Sequence, residues 1–139
     1  MSKLRNKFQN NSGFSLIELM IVLAIIAIMA AIALPSFRAY TLRSYRQEGM
    51  QAILRGQSAV ERFYTQFGRY PNNTIEYNTV SNTLNVSSGG RYAIIYSTTN
   101  NASLYVITAN AVNSQVNDAA ACVNLTVNQA GVRAPAACW

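Results

Sequence analysis

One carboxylate stands inside an otherwise uncharged run. Residues 13–35 read GFSLIELMIVLAIIAIMAAIALP, and Glu18 is the single charged side chain among them. A carboxylate in hydrocarbon costs roughly 2.5 kcal/mol or more even on the gentlest insertion scale, so it needs a charged partner or a task. A partner that suits it is the α-amine that cutting between Gly13 and Phe14 would free. Four residues along a helix make about one turn and about 6 Å, which puts that amine and Glu18 on one face. The pair can form within a chain or between the amine of one chain and Glu18 of another. The plain alternative is a Glu tolerated near a membrane interface.

Few other residues offer chemistry. The chain has no His, which removes the commonest general base and the commonest metal ligand. Its five acids are Glu18, Glu48, Glu61, Glu76 and Asp118, and no two are spaced as a catalytic pair. There is no nucleophile elbow, phosphate-binding glycine loop or zinc ligand set. The sequence therefore reads as that of a non-enzyme with no cofactor and no metal site. Cys122 and Cys138 lie beyond the apolar run, where an extracytoplasmic compartment would oxidise them to a disulfide. Two buried free thiols are the other reading.

The chain has 139 residues and a formal charge of +6. Setting the apolar segment aside leaves about 105 residues, enough for one domain with a modest core. Lys3, Arg5 and Lys7 precede the run, and without them eight Arg face five acids. Basicity after such a cut is mild. The remainder is rich in Asn, Ser and Thr, a composition suited to a secreted or surface module.

Three readings of residues 1–35 compete. A secretory signal peptide would have a shorter apolar core and no Glu within it. A plain signal anchor explains the length but not Glu18. The third starts from Gly13-Phe14-Ser15-Leu16-Ile17-Glu18 behind a short basic leader, with an apolar run ending at Pro35. This string closely resembles the signature of type IV pilins, specifically over residues 13–35 and only generally beyond them. The resemblance implies that a prepilin peptidase cuts after Gly13 on the cytoplasmic side and methylates the new amine of Phe14. Residues 1–13 would be a removed leader, and 14–35 a transmembrane segment that becomes the filament-core helix. The protein would sit in the inner membrane with its C-terminal part periplasmic, then move into a surface pilus. Its partners would be other pilin subunits, the peptidase and the inner-membrane assembly machinery. Glu18 would set the axial register between subunits. Many pilins carry a Gly in mid-segment where this chain has Ala27, which leaves Pro35 as the helix-disrupting, kinking element.

Stepping along the chain, Leu42, Tyr45, Gly49, Ala52 or Ile53, Gly56, Val60, Phe63 and Phe67 recur at spacings of three and four. They predict that one long helix covers residues 14–67, apolar all round and then one-sided. Gly49 and Gly56 fall on the buried face, seven apart, where a sheet can come close. Gly68 and Tyr70-Pro71 end the helix. Residues 68–90 read as a polar connection, the αβ-loop of the family. Strands are expected at Tyr92–Ser97, Leu104–Ala109, Cys122–Val127 and Val132–Ala134, with a turn at Asn128–Gly131. The expected fold is α+β, a long N-terminal helix packed on a small antiparallel sheet, with residues 36–139 as a head domain. The final Cys122…Cys138-Trp139 arrangement resembles the C-terminal disulfide loop of type IV pilins, with Trp139 packed on the sheet.

The leading functional expectation is a structural subunit of a type IV pilus, most like a minor pilin, acting in assembly, twitching motility, adhesion or DNA uptake. A major pilin and a type II secretion pseudopilin share the leader and helix. A membrane-anchored nucleic-acid-binding module is a third class, with weak DNA contact through Arg38, Arg43, Arg46, Arg55 and Arg62 and base stacking on tyrosines.

Overall fold

A 52-residue helix, α1, runs over Leu16–Phe67. In the computed structural model, residues 13–82, 85–99 and 101–139 are described. The basic leader positions Lys3, Arg5 and Lys7 lie outside them. The chain separates into two units, Met1–Phe37 and Arg38–Trp139, with the division falling inside α1. In the first unit Leu, Ile, Met and Ala, good helix formers or apolar, fill the helix on all sides. The helix continues through Pro35.

The second unit is built on the one-sided part of α1. Gly49, Met50, Ala52, Ile53, Gly56, Ala59, Val60 and Phe63 are its buried residues, close to the stripe read from the sequence. Phe67 departs from that stripe and is exposed. Gly68, at φ +67°, stops the helix in the left-handed region, its N–H donating to the Tyr64 carbonyl at 2.8 Å.

A four-stranded antiparallel sheet faces this stripe in the order β1-β2-β3-β4. Its strands are β1 (Tyr92–Thr99), β2 (Leu104–Ala111), β3 (Asn124–Asn128) and β4 (Arg133–Ala134). Tyr92, Ile94, Tyr96, Tyr105, Ile107, Ala109, Leu125 and Val127 alternate into the core. The expected α+β arrangement, a long helix with a small antiparallel sheet, is thus what the residues build.

Several boundaries differ from the sequence reading. Residues 68–90 are not a bare loop: a second helix, α2, covers Thr74–Ser81. The Asn73 side chain caps it by accepting from the Glu76 N–H at 2.8 Å, and Tyr77 fixes it in the core. Cys122 is not in β3, which begins two residues later. It sits in a short 3₁₀ turn, its N–H donating to the Ala119 carbonyl, because the disulfide holds it there. Val123 is therefore outside the strand, and β4 excludes Val132.

The close approach expected at the glycines is real, but the two meet different elements. A Cβ on Gly49 would lie 3.0 Å from the Tyr92 ring of β1, and one on Gly56 would collide with the Tyr77 hydroxyl of α2. Tyr77 cannot swing aside, because its ring stacks on Tyr96 at 4.7 Å. Gly56→Ala gains about 1 kcal/mol of helix propensity but forces this overlap. The clash should win, lowering head stability by about 1–3 kcal/mol. Urea unfolding with the disulfide intact measures it, and Gly56→Ala with Tyr77→Phe, which removes the colliding oxygen, should recover part of the loss. A raised unfolding midpoint in Gly56→Ala would refute the close-approach account.

Candidate functional site

The N-terminal unit presents Gly13, Phe14 and Ser15 ahead of the helix, with Phe14 85% exposed. A peptide bond outside regular structure is open to a protease. The first helical bond is Leu19 N–H to Ser15 carbonyl at 3.1 Å. Glu18 falls in the first turn, where a carboxylate also complements the helix dipole. The apolar side chains from Leu16 to Leu34 are largely exposed, and none of the 18-residue window that qualifies as a membrane span is buried. So large an apolar surface requires lipid or other apolar helices around it.

In the head domain the four acids are all engaged internally. Asp118 receives Arg46 at 2.8 Å and 2.7 Å, a bidentate pair whose side chains are 4% and 12% exposed. Gln115, fully buried beside it, donates to Asp118 and to the Leu42 carbonyl. This cluster fastens the β2–β3 connection to α1. Glu48 accepts from Ser87 Oγ, from the Gly89 N–H at 2.6 Å and from Arg91 at 2.7 Å, fastening the approach to β1. Arg91 in turn lies over the Tyr45 ring at 3.8 Å. Glu76 pairs with Arg69 at 2.8 Å and accepts the Asn72 N–H at 2.7 Å. Glu61 accepts from Tyr105 Oη at 2.7 Å and Tyr70 Oη at 3.4 Å.

Titration follows from these contacts. For Glu48 and Asp118 burial pushes upward, but hydrogen bonds from Ser87 and Arg91, and from Arg46, outweigh it, and both carboxyls end below their ordinary range. The Arg69 guanidinium, with the Asn72 amide, holds Glu76 low as well. Burial pushes Tyr96 up to about 12 and raises Tyr105 and Tyr70, the last two further through Glu61.

The positive charge left over is carried by a different set of arginines from the one the sequence pointed to. Arg46 cannot reach a phosphate, since it is part-buried against Asp118. Arg38, Arg43, Arg55 and Arg62 remain exposed, and Arg133 joins them, its guanidinium 5.1 Å from the Trp139 ring. None of these five is paired with a carboxylate among the described residues. Most tyrosines are unavailable for stacking: Tyr70, Tyr77, Tyr92, Tyr96 and Tyr105 are buried. Arg46–Asp118 and Arg91–Glu48 escaped sequence reasoning because their partners lie far apart in the chain, and Arg69–Glu76 because it depends on the unexpected helix α2. The scarcity of acids was the available signal.

Cys122 and Cys138 form a disulfide with Cα atoms 5.5 Å apart, both buried. Closing this loop contributes on the order of 3 kcal/mol in the chain-entropy picture. Trp139 packs partly against the core, and its Nε1–H donates to the Ala134 carbonyl at 3.2 Å. No group of three or more metal-ligating side chains occurs among the described residues.

Comparison with known proteins adds two family matches. Residues 35–126 match a family described as "Type IV minor pilin ComP, DNA uptake sequence receptor", and residues 8–34 match the prokaryotic N-terminal methylation motif. A fimbrial protein of Neisseria meningitidis is 37% identical over 106 residues, covering 76% of this chain and 58% of its own length. A type IV major pilin protein PilE1 of Neisseria gonorrhoeae is 46% identical over 61 residues, 44% of this chain and 37% of its own length. The chain thus spans well under two thirds of these relatives. A type IV pilin structure from Shewanella oneidensis superposes with a TM-score of 0.57 at 27% identity, covering 70% of this chain and 97% of that one.

The pH dependence of head stability follows from the shifted groups. Lowered carboxyls stabilise the fold above their unfolded values near 4, and that stability drains away as pH falls through their lower folded values. Raised tyrosines stabilise it below about 10, with loss as pH rises toward their folded values. Unfolding midpoints should therefore form a plateau between about pH 5 and 9. Asp118→Ala, which strands a part-buried Arg46, should cost about 2–4 kcal/mol at neutral pH and shrink the acid-side decline. An unchanged acid limb in that variant would remove Asp118 from the account.

Proposed function

The chain belongs to the type IV pilin family, and from that premise we propose that it serves as a minor pilin acting in DNA uptake. The observation that carries the reading is the match of residues 35–126, which lies on the head domain rather than on the apolar segment common to pilins of every kind. The electrostatics agree with it. With the head's acids engaged in the fold, its five unpaired arginines present a surface that attracts phosphate, without the strong charge of a dedicated nucleic-acid-binding module.

In this reading the protein is made with a leader, cut after Gly13 and methylated on Phe14, and held in the inner membrane by residues 14–35 with the head on the periplasmic side. It then enters the pilus alongside other pilins. Pro35 provides a point where the helix can bend as the subunit leaves the bilayer. The methylated amine of Phe14 and Glu18 form the polar contact that fixes register, because an unmade pair in so apolar a setting is costly.

Deletion of the gene should sharply reduce natural transformation while pili remain on the cell. Loss of pili altogether, or this chain making up the bulk of sheared fibres, would show a principal structural role instead. Glu18→Ala should leave membrane insertion, cleavage after Gly13 and the Cys122–Cys138 bond intact, as read by mass spectrometry of membranes, and lower the subunit's abundance in sheared pili. Normal incorporation of that variant would end the register role and leave the family assignment standing.

A further inference from the structure

We propose that the C-terminal end of α1 carries a stacking platform, made by Tyr64 and Phe67, that receives unpaired bases of single-stranded DNA. The proposal rests on the DNA-uptake reading and adds to it a site and a form of ligand. Phe14 and Phe37 lie in the apolar unit, and within residues 38–139 the exposed large aromatic side chains beyond Tyr40 are Tyr64 and Phe67, at 43% and 61%. Every other tyrosine of the head is buried or, like Tyr45, lies under a guanidinium.

Both rings are held in place from within. Phe67 lies 4.5 Å from Phe63 with the planes tilted by 35°, and Tyr64 lies 4.6 Å from Tyr70 with a tilt of 32°. Each is therefore supported on one side and open on another. A supported ring gives up little conformational freedom when a flat ligand lands on it. Gly68 turns the chain directly after Phe67, so no further helical turn covers the ring.

The charges nearby favour a polyanion. Arg62, two residues before Tyr64 in α1, is exposed and has no carboxylate partner, and the Arg69 guanidinium, held by Glu76, stands 5.2 Å from the Phe63 ring centre. The two acids of this region are committed, Glu61 to tyrosine hydroxyls and Glu76 to Arg69. Exposed rings at a helix end that carries an unpaired arginine and no uncommitted carboxylate suit a strand with flat bases on an anionic backbone. A duplex keeps its base faces stacked on one another, so the platform discriminates in favour of unpaired bases.

The test uses the full chain in detergent with two probes, a short oligonucleotide carrying 2-aminopurine and the matching duplex. Stacking should quench the single-strand probe on the wild-type chain. Phe67→Ala and Tyr64→Ala should each weaken single-strand binding by about tenfold and relieve the quenching, while Tyr64→Phe keeps both. Arg62→Ala should lower the salt dependence of binding by about one counterion without relieving the quenching. Duplex affinity should hold in the aromatic variants. Losing the Phe63–Phe67 or Tyr64–Tyr70 ring contact should lower the unfolding midpoint modestly, so binding is compared at a temperature where every variant is fully folded. Equal loss of single-strand and duplex binding, or quenching that persists without the rings, would overturn the platform while leaving DNA uptake intact. Failure of wild-type protein to bind either probe would remove both readings. If Phe67→Ala keeps single-strand binding but loses association with other pilins, the rings are a protein interface and the platform is wrong.

Discussion

The head domain depends on tyrosine rings being admitted between α1 and the elements facing it. Gly49 receives Tyr92 and Gly56 receives Tyr77, and from Tyr77 a run of rings continues through Tyr96 and Tyr105 to Tyr70. Aliphatic side chains would bury comparable area but would leave the register between helix and sheet loosely specified. The hydroxyls of Tyr70, Tyr96 and Tyr105 find hydrogen-bond partners, and each partner fixes an element. Tyr96 reaches the Pro71 carbonyl at 2.8 Å, tying β1 to the turn after the helix, and Tyr105 reaches Glu61, tying β2 to α1. The Tyr70 N–H donates to the Ala102 carbonyl, so the β1–β2 hairpin is held from the same point. Hydroxyl direction thus converts a nonspecific apolar contact into a unique one.

Charge follows the same logic of use inside the fold. Glu48, Asp118 and Glu76 each clasp an irregular segment, and each does so through an arginine. Isolated exposed pairs contribute little, but the Arg46–Asp118 pair is shielded from water and shared with Gln115, which makes its loss expensive. The positive surface is then a consequence of stabilising loops with a small number of acids. What remains outside is arginine alone, whose planar fork suits phosphate and ring faces better than a lysine ammonium would.

The sequence made the periodic parts of this protein legible. The stripe from Gly49 to Phe63 and the alternation in Tyr92–Ser97 and Leu104–Ala109 announced themselves through spacing, because burial on one face imposes a period. The motif around Gly13, Phe14 and Glu18 was legible for a different reason: a lone carboxylate in an apolar helix has few physical excuses. What stayed hidden was non-local or locally weak. α2 rests on an Asn73 cap and one core residue, Tyr77, within a stretch whose composition reads as loop. Arg46 looked like a surface cation until Asp118, 72 residues away, was seen to cover it. The exposure of Phe67 was equally unreadable, since spacing places it on the stripe and only the end of the sheet's cover excludes it.

The apolar segment and the head solve opposite problems. The head is specified by polar contacts inside an aromatic core, whereas residues 16–34 offer a surface of Leu, Ile, Met and Ala with no covering of their own. Lipid tails and neighbouring helices are about equally apolar, so hydrophobicity cannot distinguish the bilayer from the proposed fibre core. Packing alone would let such helices slide by a turn at little cost. Discrimination has to come from a polar group whose needs are met in one environment and not in the other. Glu18 is the single ionisable side chain in that segment, and an amine four residues before it in a neighbouring chain would satisfy it at one axial offset only.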